Sequence, residues 1–546
     1  MPVPAILLPD NINAAMRLLL AGAAMAVLLK VLKTLVSRHS DVVRRLPGPD
    51  AENWITGQLG GMFASSADLP HEWVAKFGPT FRVPSMFGQQ AIFSIDPKLL
   101  GHALNHSMSY YKPPESRRNL ARLLGQGVLV AEGEKHRQQR RVMNPAFGPA
   151  QIRELTQIFV EKSMNLVEYW GSMVESASGV GRVNAVEGLG RMTLDVIGIA
   201  GFDYNFDALN PDSQNPLGKA FAHIVKTPPV FTPLSVLCAL LFSKVFPDKR
   251  TQAADKAQGV MVEIAKKLLL EKKAELRSRG AVEKRDVQGR DLLTLLLKSN
   301  LAADVPDDQK LTDDEVLAQI PTFLIAGHET TNTSTSWCLS SLSTHPEIQS
   351  RLREELFSLD TESPTMEDLN ALPLLDRVVR ETLRLHAVVT FSSRIAVHDD
   401  VLPLSTPIVD ADGKTLQEIP VKAGQRIFIP ILTLHTLKDL WGPDALEFSP
   451  DRWLNPPPEA MAHMPGVYGN LMTFLGGPHA CIGYRFALTE MKALIFALVR
   501  AFEFSLPVPA DDIAMVGIFI QRPALRSEME KGVQMPLLIR PIRRAQ

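Results

Sequence analysis

The chain has 546 residues, 45% of them apolar, and sets 58 lysines and arginines against 59 aspartates and glutamates for a net charge of −1. That balance gives no reason to invoke nucleic acid, and the apolar content is ample for a large core. Three cysteines, Cys238, Cys338 and Cys481, are too few and too scattered for a disulfide framework and suit a reducing compartment.

The N-terminal element comes first. Leu18 to Leu29 is an uninterrupted apolar run bounded by Arg17 and Lys30, followed by Lys33, Arg38, Arg44 and Arg45. The run alone is shorter than the roughly 20 residues that cross a bilayer. Ala14–Met16 and Val31–Val36 extend it to a span if Arg17, Lys30 and Lys33 snorkel. A cleaved signal peptide is the rival reading, but no small-x-small site follows. The basic cluster lies after the run, which keeps the rest of the chain cytoplasmic. We therefore expect a membrane anchor with its basic flank over residues 1–45 and one catalytic domain over 46–546. Leu46-Pro47-Gly48-Pro49 reads as a stiff break between them.

In the body, Thr80–Val83 and Ala91–Ile95 are candidate strands, and residues 150–170 and 252–278 are helical with charge on one face. Asp203–Pro216 and Arg277–Arg290 read as loops. Asp412-Gly413 between Thr406–Val409 and Thr415–Ile419 is a hairpin signal. Asn455-Pro456-Pro457-Pro458 marks an irregular segment that cannot be helix interior. No linker, repeat or low-complexity block divides the chain.

Five constellations carry chemistry. In Gly133-Glu134-Lys135-His136-Arg137-Gln138-Gln139-Arg140-Arg141, His136 and Arg140 stand at i and i+4 on one helix face, while Lys135, Arg137 and Arg141 read as a solvated basic surface. Thr312-Asp313-Asp314-Glu315 is a capping-box pattern opening a long helix through Ala326-Gly327-His328-Glu329-Thr330-Thr331 to about Ser343, with a kink expected at Pro321. On residues alone, Thr330 either supplies a reactive hydroxyl or bonds back to the Ala326 carbonyl. Glu381 and Arg384 pair at i and i+3. Arg394 follows in Phe391-Ser392-Ser393-Arg394, and Arg452 in Pro450-Asp451-Arg452-Trp453. Last comes Phe474-Leu475-Gly476-Gly477-Pro478-His479-Ala480-Cys481-Ile482-Gly483, opening onto a helical repeat at Ala487, Met491, Leu494, Ile495 and Leu498. A cysteine just ahead of a helix start faces partial positive charge that favours thiolate.

Phe474, Gly477, Cys481 and Gly483 stand where the cytochrome P450 family has its Phe-x-x-Gly-x-Arg-x-Cys-x-Gly loop. Together with the helix motif at 326–331, the Glu-x-x-Arg pair and Arg452, the chain resembles that family, and microsomal fungal members in particular, from residue 46 to its end. His479 and His136 depart from it, replacing the usual arginine and tryptophan.

The resemblance implies a mainly α fold with small β-sheets (α+β) and heme b ligated through the thiolate of Cys481. His136, Arg140, Arg394 and His479 would be donors to the heme propionates. Glu329 and Thr330 would relay protons, Gly327 would leave room for dioxygen, and Glu381, Arg384 and Arg452 would brace the loop. With no flavin or nicotinamide fingerprint in the chain, electrons would come from NADPH through a separate reductase. The setting would be the endoplasmic reticulum membrane, with the catalytic domain on the cytoplasmic side.

By family position the substrate pocket draws on residues 113–126, 221–246, 323–327, 387–393 and 516–520, an apolar set including Phe231, Phe323, Val388, Phe391, Ile518 and Phe519. We expect a monooxygenase that hydroxylates or epoxidises a lipophilic substrate such as a terpenoid or another secondary-metabolite intermediate. The alternatives are a heme-thiolate isomerase or dehydratase, or a non-catalytic heme-binding membrane protein.

Overall fold

The computed structural model describes residues 42–64, 68–176, 179–210, 249–278, 291–301, 310–455, 464–517 and 520–542, with isolated positions besides. The expected anchor run (Gly22 and Met25 excepted), the end of the loop 203–216 beyond Asn210 (Ser213 excepted), the pocket segment 221–246, the connection 279–290, Pro456–Pro458 and Ile518–Phe519 lie outside the described residues. Among the described residues no helix is long and apolar enough to cross a membrane.

Helices dominate: α1 (Pro97–Asn105), α2 (Pro114–Leu124), α3 (Gly133–Met143), α4 (Pro149–Ser176), α5 (Ala185–Phe202), α6 (Lys249–Ser278), α7 (Asp313–Thr344), α8 (Pro346–Phe357), α9 (Pro373–Leu385) and α10 (Tyr484–Ala501). The strands are β1 (Thr80–Pro84), β2 (Gln90–Ser94), β3 (Tyr110–Tyr111), β4 (Gly181–Asn184), β5 (Ser392–Ala396), β6 (Asp400–Val409), β7 (Thr415–Val421), β8 (Arg426–Ile429), β9 (Phe502–Ser505), β10 (Ile513–Val516), β11 (Arg522–Leu525) and β12 (Pro536–Pro541). They form a mixed sheet in the order β1-β2-β8-β5-β3, a three-stranded sheet β4-β12-β9, and the hairpins β6–β7 and β10–β11. The expected 406–419 hairpin is present and longer than its turn signal indicated. Gly413 takes φ +75° at its tip, and the Asp410 side chain accepts from the amides of Asp412 and Lys414.

The long helix forms where its sequence starts it. Thr312 Oγ accepts from the Glu315 amide at 3.3 Å, and Glu315 answers by accepting from the Thr312 amide at 2.9 Å. It runs unbroken through Pro321, where a kink was expected, and stops at Thr344 before Pro346 opens α8. Nearly every residue from Val316 to Leu342 is buried, so α7 is the axis of the core. Against it lies α5, whose Gly190 faces Asn332 and His328 of α7 while Gly198 faces Tyr204 and Phe206. In α10, Glu490 is fully buried, and the polar side chain it faces is Thr331 on α7.

Burial pushes the Glu490 carboxyl up to about 8, against an ordinary value of 4.5. A carboxyl raised on folding stabilises most at low pH, and that contribution is lost as pH climbs from the ordinary value through the raised one. The slope is about 1.4 kcal/mol per pH unit. Glu490→Gln should therefore melt near wild type at pH 4 and several degrees above it at pH 9. Equal melting shifts at both pH values would show that Glu490 carries no buried proton.

The segment read as a stiff break is docked on the body. Val43 and Leu46 are buried, the Arg82 amide donates to the Pro47 carbonyl at 2.9 Å, and Arg45 pairs with Asp410 at 3.3 Å. A Cβ at Gly48 would sit 2.1 Å from the Arg82 carbonyl, which explains a glycine between two prolines there.

Candidate active site

The Cys481 loop is built by backbone contacts that leave no room for side chains. A Cβ at Gly476 would lie 1.5 Å from the Pro465 carbonyl oxygen. At Gly477, in a left-handed conformation with φ +67°, it would lie 2.4 Å from that of Leu104 in α1. The Cys481 amide donates to the Phe474 carbonyl at 2.8 Å, which closes the loop on itself.

The thiol is accessible to water, yet protein surrounds it. Burial pushes its pKa up, while the Gly483 amide and the Arg140 charge pull it down without prevailing. The pull of the helix start is thus real but weaker than burial. A metal that binds the sulfur supplies the missing charge and displaces the proton.

Behind the loop stands its brace, and here expectation and geometry meet closely. Glu381 and Arg384 are both fully buried and joined twice, through Nε at 2.9 Å and Nη2 at 2.8 Å. Arg384 also donates to the carbonyls of His435 at 2.7 Å, Ala445 at 2.6 Å and Glu447 at 3.1 Å. Glu381 accepts in addition from Arg452 Nε at 3.3 Å, Trp453 Nε1 at 3.0 Å and the Ser449 amide at 3.0 Å.

His435 carries the brace to the loop. Burial and the Arg384 charge hold its pKa at about 3, so it is neutral, and its Nε2 accepts from the Met472 amide at 2.8 Å. That bond assigns the ring proton to Nδ1. Met472 leads directly to Phe474, the acceptor for Cys481. Trp453 and His435 were not singled out from the sequence.

On the other side of the loop the structure gathers the four expected donors, with two residues the sequence did not flag. The rings of His136 and His479 stack 3.7 Å apart. His479 Nε2 sits 3.2 Å from Glu132 Oε2, and Glu132 Oε1 accepts from both the Lys112 amide and Lys112 Nζ at 2.9 Å. Arg140 Nη1 donates to the Ala480 carbonyl at 2.8 Å, beside the cysteine. Arg394 is buried, bonded through Nη1 to Ser392 and Ser393.

Each group here is shifted by its surroundings. Burial lowers His136 to about 3, aided by the charges of His479, Lys112 and Arg140. Burial lowers His479 as well, against the pull of Glu132. Burial lowers Lys112 to about 8. For Glu132 burial acts upward, but His479 and Lys112 outweigh it and hold the carboxyl at about 2. Glu132 has a local signal, since it precedes the left-handed Gly133 that opens α3. Lys112 has none.

The donor set fits a dianionic cofactor. Lys112, Arg140 and Arg394 are cations balanced by Glu132 as the one carboxylate named among them. Arg394 Nη2 and His479 Nε2 are buried without an aligned hydrogen-bond acceptor. Two propionates beside an accessible cysteine would complete both the charge and the hydrogen bonding.

The third wall is α7. At the centre of this buried helix Ala326 is exposed and Thr330, one turn on, is partly so, while Phe323 before them packs on Phe147. Ala326 and Thr330 share a face that borders open space. Thr330 Oγ donates to the Ala326 carbonyl at 2.7 Å, the local bond its sequence allowed. Gly327 turns elsewhere: a Cβ there would lie 2.9 Å from Cδ1 of Ile197 in α5. Its smallness serves the approach of two helices, which corrects the expectation that it leaves room for dioxygen. Glu329 faces away from Thr330 and accepts from Arg522 Nε at 2.8 Å.

Comparison with known proteins agrees with this geometry. A family model described as Cytochrome P450 matches residues 47–523. Cytochrome P450 monooxygenase 205 of Postia placenta is 49% identical over 97% of this chain and 98% of its own length. Cytochrome P450 monooxygenase 128 of the same fungus is 47% identical over 96% and 97%. Cytochrome P450 monooxygenase claQ of Ampulloclitocybe clavipes is 35% identical over 94% and 97%. With the match spanning the brace, the cysteine loop and the central helix alike, the chain belongs to the cytochrome P450 family of heme-thiolate monooxygenases.

Proposed function

We propose that this oxidoreductase hydroxylates or epoxidises a lipophilic substrate, a terpenoid or another secondary-metabolite intermediate, with electrons drawn from NADPH by a separate membrane reductase. What supports the substrate class is the apolar character of the segments 323–327 and 387–393 expected at the pocket: Phe323 and Val388 are buried, Phe391 packs on the core, and neither segment carries a charged side chain. We assign residues 1–45 as the anchor to the endoplasmic reticulum, with the catalytic domain cytoplasmic. The docked Val42–Leu46 segment would hold that anchor in a fixed direction from the body.

Bound heme supplies reduction of dioxygen at its iron and transfer of one oxygen atom to the substrate. The chain's own residues do the rest. Cys481 holds the iron through its sulfur, and Arg140 and the Gly483 amide temper the negative charge there. Lys112, Arg140, Arg394 and His479 orient the propionates, with Glu132 spacing the cations. His136, buried and neutral, acts through its stack on His479. Thr330, released from the Ala326 carbonyl, presents its Oγ hydrogen to the open face of α7, and Glu329 replenishes that proton. Presence of both Glu329 and Thr330 favours oxygen chemistry over isomerisation or dehydration, which has no use for a proton relay.

The test is product analysis after coexpression with a fungal reductase against a panel of terpenoids. Hydroxylated or epoxidised products that require NADPH, reductase and oxygen are expected. Rearrangement or dehydration of a fatty hydroperoxide itself, with all three withheld and no oxygen transferred to a second molecule, would instead establish the isomerase or dehydratase class.

A further inference from the structure

Glu329 is next to Thr330 in the chain but is held on another face of α7, and what holds it is Arg522. The contact is Arg522 Nε to Glu329 Oε2 at 2.8 Å, with both side chains largely buried, and His328 Nδ1 lies 3.8 Å from the other oxygen. Burial pushes the carboxyl up, but Arg522 and His328 together bring it below its ordinary value. A carboxylate paired in this way is ionised and points away from the hydroxyl it would serve.

Arg522 opens β11 opposite Val516 of β10, so it stands at the root of a hairpin. Its neighbour Gln521 is tied on three sides. The Gln521 amide donates to the Val388 carbonyl at 2.8 Å, its Nε2 to the Gly517 carbonyl at 2.7 Å, and Trp337 Nε1 of α7 to the Gln521 carbonyl at 3.5 Å. Gln521 also lines an apolar cleft with Phe93, Thr390, Phe391, Phe428 and Leu432. The counter-ion of Glu329 is therefore one peptide bond from a residue that knits α7, the 388–391 segment and the hairpin together.

We propose that Arg522 is a positioning residue for the proton relay: it parks Glu329 as a carboxylate away from Thr330, and the tied root of the β10–β11 hairpin sets when that carboxylate is released. This rests on the oxygenase reading above. Released, Glu329 takes a proton from water at Oε2 and passes it to Thr330 Oγ as Thr330 gives its own hydrogen onward. Protons balance, and no electron moves in the chain.

The test uses the heme-loaded, full-length protein with Arg522→Gln, Arg522→Lys, Gln521→Ala and the double variant Arg522→Gln/Glu329→Gln. Without its guanidinium a buried carboxylate takes up a proton. Arg522→Gln should then show a protonated-carboxyl infrared band that vanishes in the double variant. With NADPH and reductase and no added substrate, Arg522→Gln should change the peroxide released per NADPH by at least about threefold. Arg522→Lys keeps the charge and should stay within about twofold of wild type. Gln521→Ala keeps the ion pair but frees the root, and should move the peroxide ratio the same way by a smaller factor.

Faster hydrogen exchange over residues 513–525 in Arg522→Gln with an unchanged peroxide ratio would reduce Arg522 to a structural strut and overturn the proposal. An unchanged ratio in Gln521→Ala would remove the link to the hairpin. If Arg522→Gln does not fold, the peroxide ratio of Gln521→Ala still decides between a positioning and a structural role. Should wild type consume no oxygen with reductase and NADPH, the oxygenase reading fails instead, and the infrared band still reports whether Arg522 keeps Glu329 ionised.

Discussion

Arg384→Ala is expected to yield almost no soluble, heme-loaded protein. The guanidinium satisfies both Glu381 oxygens and three backbone carbonyls from the 435–447 segment, and neither partner of the pair has any exposure. Removing it leaves an ionised carboxylate in the core beside carbonyls stripped of their donor. Breaking a buried pair from one side costs about 3–5 kcal/mol, a large part of the roughly 5–15 kcal/mol that holds a domain folded. The damage also travels, because His435, whose carbonyl Arg384 fixes, holds the Met472 amide just ahead of the cysteine loop. Arg384→Lys should rescue little, since an ammonium has three donors and no planar fork for this set of acceptors. Heme content per milligram and the melting temperature are the readouts. A variant with full heme and a melting point within a few degrees of wild type would show that the brace does not hold the loop.

Much of this was legible because it is local. The cysteine loop is contiguous, the Glu381–Arg384 pair is one helical turn, and the Thr312–Glu315 box is a single cap, so short-range geometry decides each of them. The remainder depends on which faces meet. Lys112 pairs with Glu132 and Glu132 with His479 across the chain; Glu132 has only the turn before Gly133 as a local signal, and Lys112 has none. Gly327 shows the same limit in reverse. Its motif position gave the right helix, but the opposing atom is Ile197 of α5, and only packing reveals that the glycine serves helix approach. Glu329 was singled out as a proton-relay acid next to Thr330, but its partner Arg522 lies in a hairpin far along the chain. Pro321 lies inside α7, which stays helical past it among buried neighbours although a proline supplies no amide donor.

Cys481→Ser separates the ligand from the fold that presents it. The loop is closed by the Cys481 amide on the Phe474 carbonyl and by glycines pressed on Pro465 and Leu104, none of which involves the sulfur. The variant should therefore express and melt close to the wild-type apoprotein, in contrast with Arg384→Ala. What it loses is the thiolate: a serine hydroxyl does not ionise near neutral pH and donates far less electron density to iron. The red-shifted Soret band of the reduced carbon monoxide complex should disappear, and turnover should fall by on the order of a thousandfold or more. Cys338→Ser is the matched control. Burial in α7 pushes that thiol up to about 12, so it is a core side chain with no access to iron chemistry. It should leave the spectrum intact while lowering the melting temperature slightly. A surviving thiolate-type band in Cys481→Ser would mean that another cysteine thiolate reaches the iron. A band lost in Cys338→Ser would mean that the core around α7, rather than the loop, governs ligation.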